Sequence, residues 1–97
     1  MNPQAETLLT TVAETLQLSQ ENLLREGLKS FLERQLREVK AEIFQITGRY
    51  GVASVEEMDA HYREGTLEEE DSWQDFQRLD HLEYQRDQLL SLLKAMA

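Results

Sequence analysis

From Leu24 to Tyr50 the chain sets an apolar side chain every three or four residues: Leu24, Leu28, Leu32, Leu36, Val39, Ile43, Ile46 and Tyr50. Nothing breaks the run, because the only proline is Pro3. The pattern predicts one helix from about Gln20 to about Gly48, roughly 40 Å long at 1.5 Å per residue. Ser19 is placed to cap it, and Glu21 lies in the first turn, where negative charge suits the helix dipole. The last four steps alternate three and four, the 3.5-residue period of a coiled-coil seam. Leu23, Phe31 and Phe44 lie off that line and widen the stripe, so the helix is expected to touch more than one neighbour. It needs partners.

A second long helix, 69–96, is the obvious partner. Leu79, Leu82, Leu89, Leu93 and Met96 keep the same alternation once Asp75 and Arg86 are counted on the line. A short helix over 5–17 is expected from Leu9, Val12, Ala13 and Leu16. Between the long helices, "GRYGVASVEEMDAHYREGTLEEEDSWQDF" (48–76) reads as an elbow. Gly48 and Gly51 bracket Tyr50 as a helix end and a turn. Ser54 and Glu57 have capping-box spacing, a short helix fits 55–64, and Gly65 stops it. Thr66 and Glu69 repeat the spacing. A connector of this length lets the long helices return antiparallel. No strand signal competes. The expectation is a single all-α domain, 1–97: two long antiparallel helices, a short N-terminal helix and a short connecting helix, in a dimeric bundle. The dimer seam is assigned to Leu36, Val39, Ile43, Ile46, Leu82, Leu89 and Leu93, an apolar line too large to leave wet.

Composition narrows the function classes. Without cysteine there is no disulfide, thiolate metal site or cysteine nucleophile. No apolar run reaches the roughly 18–20 residues of a membrane span, and "MNPQAETLLTTVAE" lacks a signal-peptide layout, so a cytoplasmic protein is expected. Net charge is −9: residues 1–24 carry −3, 25–49 carry +2 and 50–97 carry −8. That balance disfavours phosphate backbones. The one basic cluster, Arg34, Arg37 and Lys40, alternates with Glu33, Glu38 and Glu42, as a solvated helix face does.

Candidate chemistry is sparse. The Glu-x-x-His pairing of di-iron bundles is absent, since Met58 precedes His61 and Arg78 precedes His81 by three. His61 and Glu64 share a face and are the only weak metal candidates. The acids Glu68 to Asp71 sit at a helix start, where the dipole favours them. No nucleophile motif or glycine-rich phosphate loop is present, so no catalytic residue and no cofactor is expected. Arg86 interrupts an apolar line. Either its stem packs while the guanidinium reaches solvent, or it pairs with Asp75, Asp80, Glu83 or an acid of a second chain. Tyr50, Tyr62, Trp73 and Phe76 suit either the elbow's core or a protein interface, where Trp and Tyr are common hot spots. Together with Asp75 and Arg86 they form the candidate partner-binding set.

"VAETLQLSQENLLREGLKSFLERQL" resembles the helical part of ribbon-helix-helix antitoxins. Residues 34–93, with "YGVASVEEMD", "EG" and "WQDFQRLDHLE", are similar to small helical proteins encoded beside toxins in bacteria and archaea. The basic DNA-reading strand of the ribbon family has no counterpart in "MNPQAE". The resemblance implies a non-enzymatic antitoxin that binds and silences a protein toxin. The alternatives are a small metal-binding helical protein centred on His61 and, against the charge balance, a DNA-binding regulator.

Overall fold

The computed structural model describes residues 1–97 and is all-α, with 86% of residues helical and no strand. Four helices follow one another: α1 (Pro3–Leu16), α2 (Gln20–Tyr50), α3 (Val55–Glu64) and α4 (Glu69–Met96). Local chemistry accounts for most of the boundaries. Asn2 accepts the Ala5 N–H at 2.8 Å with Pro3 in the first turn, so α1 starts two residues before the expected Ala5. Ser19 caps α2 by accepting from the Asn22 N–H at 3.0 Å. The helix runs through Gly48 to Tyr50, and the stop is Gly51, whose φ of 65° a side chain would strain. Gly65, at φ 75°, ends α3 in the same way.

The two S/T-x-x-E spacings part company. Ser54 accepts from the Glu57 N–H at 3.1 Å, and the Glu57 carboxylate returns to the Ala53 N–H at 2.9 Å. Thr66 caps nothing: its hydroxyl donates to the His61 carbonyl, and the N-cap of α4 is Glu68, which makes no side-chain capping bond. An acidic first turn of Glu69, Glu70 and Asp71 replaces the cap.

The long helices lie antiparallel along most of their length. Arg49 bonds Asp75 near the elbow, Arg78 makes a bidentate pair with Glu42 at 2.9–3.0 Å, and Arg25 reaches the Met96 carbonyl at 3.4 Å. Each step back along α2 is matched by a step forward along α4. In that register the line assigned to a dimer seam falls inside one chain. Ile46 and Leu82 are buried in the core, Val39 and Ile43 pack against it, and Leu36, Leu89 and Leu93 are half-buried. The elbow's return brings the two stripes together, so no second copy is needed to cover the centre of this line.

The core itself is small and lies at one end. Ile46 of α2, Val52 of the turn, Met58 of α3, and Leu79 and Leu82 of α4 form it. The molecule measures 61 × 25 × 18 Å with a radius of gyration of 19.5 Å, against about 12.5 Å for a compact chain of this length. It is a rod with a closed head. At the other end α1 folds back on the start of α2, tied by the Gln20 amide to Thr10 at 3.1 Å, and Ala13 is its only buried residue.

Candidate functional site

The elbow assembles five of the six residues proposed for partner binding. Asp75, nearly two turns into α4, lies across from the end of α2, where its Oδ2 accepts from Tyr50 Oη and from Arg49, both at 2.5 Å. The Tyr50 phenol is the main reason the Asp75 carboxyl sits below its usual range; partial burial opposes it and Arg49 assists. Reciprocally, donation to that carboxylate, with burial, raises the Tyr50 phenol above its ordinary value. Asp75 is thus a clamp between the two long helices, and its charge is already used within the chain.

A second group joins α3 to α4. Tyr62 meets Phe76 edge-on at 5.3 Å, Phe76 stacks on Trp73 at 5.1 Å, and Tyr62 lies 6.3 Å from Trp73. Tyr62 and Phe76 border the core, whereas Trp73 remains 44% exposed at the outer end of the stack. Below it, buried Ser72 donates to the Glu68 carbonyl at 2.6 Å and shares a 2.6 Å hydrogen bond with Tyr62 Oη. Glu83 accepts the Val55 N–H at 2.7 Å, capping α3 from α4. Ser72, Glu83 and Arg49 were absent from the candidate set. Each acts across elements far apart in sequence, where spacing carries no signal.

Arg86 stands apart from this group. It is half-buried on α4, and its Nε donates to the neighbouring Asp87 at 3.0 Å rather than to Asp75, Asp80 or Glu83. His61 is tied locally, its Nδ1 2.7 Å from the Thr66 hydroxyl, and Glu64 is exposed at the end of α3. No three His, Asp or Glu side chains come together as a metal-holding group.

The charge of the molecule is concentrated here. Residues 50–77 hold nine carboxylates and one arginine, a net −8, while 78–97 balance three acids against three bases. Glu68, Glu69, Glu70 and Asp71 are all exposed beside Trp73. The elbow offers a flat aromatic on a supported base, with an exposed acidic run just before it in the chain.

Comparison with known proteins places the whole chain. The model described as "Uncharacterized protein MJ0235 family" matches residues 1–97. The chain belongs to the MJ0235 family. No curated protein and no solved structure matches it. The MJ0235 description names neither a ribbon-helix-helix protein nor a toxin–antitoxin pair. No helix is long and apolar enough to cross a membrane.

Proposed function

We propose that this chain is a non-enzymatic protein-binding module whose elbow receives a basic surface of another protein. The observation that carries the reading is Trp73. It is stacked on Phe76 and supported through Tyr62 by the core, yet nearly half of it faces solvent. A rigid aromatic costs little conformational entropy to dock, which is why such residues anchor interfaces. The surrounding −8 selects a positively charged partner and speeds its approach. An antitoxin silencing a toxin that handles nucleic acid is one specific form of this reading, because a nucleic-acid-binding face is basic. The metal-binding alternative loses support from the isolation of His61 and Glu64.

The test starts with cross-linking in native cells and mass spectrometry to identify the protein held at the elbow. Affinity is then measured with purified components. Trp73→Ala should stay folded and bind at least ten-fold more weakly, and added salt should weaken binding by the wild type. Affinity unchanged by Trp73→Ala and by salt would reject the elbow as the binding surface.

A further inference from the structure

The other end of the rod has the opposite character. The hairpin of α1 and the start of α2 leaves one face open, a shallow groove of about 410 Å³ lined by nine residues, eight of them hydrophobic. Leu8, Val12, Leu23, Leu24 and Leu28 form most of it, with Met1 at its rim. Leu8 is 67% exposed, Leu24 43% and Leu28 49%. Phe31, three residues beyond Leu28 on α2, is 48% exposed. Leu24 and Leu28 also border a second hollow with Met96, so the apolar surface continues to the end of α4.

We infer that this face is the interface of a homodimer, in which the α1–α2 hairpins of two copies pack face to face as an antiparallel four-helix bundle. This surface is separate from the elbow, and the inference does not rest on the function proposed for that end. Three observations select a second copy as the occupant. The first is area: Met1, Leu8, Leu24, Leu28 and Phe31 are each 43–71% exposed along this face, so covering it removes up to several hundred Å² per copy, a large share of the roughly 800 Å² per partner of a stable interface. The second is self-complementarity. A two-fold interface must match itself, and a groove lined almost wholly by hydrophobic side chains does so without placing like charges opposite one another. No charged group lines the main groove to select a foreign helix or set its register.

The third observation is the distribution of charge. Two chains of net −9 repel, but −8 of that lies in residues 50–77, at the far end of a 61 Å rod. Residues 1–20 contain only Glu6 and Glu14 as charged side chains, and neither lines the apolar groove. Pairing the arms with α2 antiparallel to its copy sends the two elbows in opposite directions. They are then many times the roughly 8 Å screening length apart. A parallel pairing would bring the elbows side by side. Charge therefore selects the antiparallel form.

Sedimentation equilibrium of the full chain at tens of micromolar should give twice the 11.3 kDa chain mass. The double variant Leu8→Glu/Leu24→Glu alters exposed side chains, so it should keep its helical circular dichroism and sediment as a monomer. Phe44→Glu, on a different and highly exposed face of α2, should remain dimeric. Because the chain has no cysteine, a spin label at Glu70→Cys reports only the distance between copies, expected beyond the 61 Å length of one chain. A wild-type monomer, a dimer indifferent to the double variant, a monomeric Phe44→Glu, or a short label distance would each overturn the inference.

Discussion

The elbow and the arm are built from the same kinds of residue, yet they finish differently. At the elbow, α2, α3 and α4 enclose Met58 and Leu79 completely, and polar groups from one element satisfy those of another. Glu83 caps α3, Asp75 joins the long helices, and Ser72 anchors Tyr62. At the arm, α1 meets only the start of α2, and leucines that would be core in a larger bundle stay open. The difference lies in the number of neighbours. Three elements around a point close it; two helices side by side leave a face. The closed end can hold an exposed tryptophan in a fixed place, while the open end depends on whatever covers it.

Truncating the same kind of side chain at both ends should have very different consequences. Leu79→Ala should cost about 3 kcal/mol in denaturant unfolding, because a fully enclosed leucine leaves a cavity. Leu24→Ala, already partly in water, should cost about 1 kcal/mol or less at submicromolar concentration. Equal losses under those conditions would mean that the arm is closed within one chain. A loss at Leu24 that grows with protein concentration would sharpen the contrast, since partner binding adds to apparent stability by mass action. Hydrogen exchange offers the same comparison without mutation. Amides around Met58 and Leu79 should exchange only through global unfolding, and those of α1 through local opening.

A smaller effect is expected at the clamp. Asp75→Asn weakens a carboxylate that two donors share at a partly exposed site, worth about 1 kcal/mol after allowance for solvent. The sign with pH follows from the lowered carboxyl. The stabilisation is present above the unfolded value of about 3.9 and is lost as pH falls through the lower folded value. The stability gap between wild type and Asp75→Asn should therefore be flat near neutrality and close below about pH 4. Tyr50, whose phenol is raised, contributes below about pH 10 and loses its contribution at higher pH. A gap that widened in acid would contradict the clamp.

The smallest effects concern the two capping-box spacings. Ser54→Ala should lower stability by about 1 kcal/mol, whereas Thr66→Ala should leave the start of α4 unchanged, since Thr66 does not cap it. Unfolding midpoints and amide exchange at Glu69–Ser72 distinguish the two. Fraying of α4 in Thr66→Ala would show that both boxes work alike.

Much of the helical layout was legible because its causes are local. The three-and-four spacing from Leu24 to Tyr50, the Ser19 and Ser54 caps, and Gly65 act within a turn or two of themselves. The Asn2–Pro3 start was equally local, but it precedes the apolar pattern and so escaped a reading based on periodicity. Thr66 had the spacing of a cap without the backbone position of one. The candidate site was legible only as residue types. Tyr50 and Asp75 are 25 residues apart, and only the antiparallel register makes them partners. Ser72 resembled one more polar residue in an acidic run, and its burial beneath Tyr62 depends on where α3 lies.

Residue order makes the chain helical, gives its helices apolar faces too wide for isolation, and gathers nearly all its net charge between residues 50 and 77. Tertiary structure decided which faces meet. It brought Ile46 and Leu82 together inside one chain, engaged Asp75, left Trp73 half open, and set the charged elbow and the uncovered leucines at opposite ends of a 61 Å rod. The physical reason is that the helical period specifies an apolar face from near neighbours alone. What covers that face depends on the register between segments distant in the chain, which no local spacing encodes.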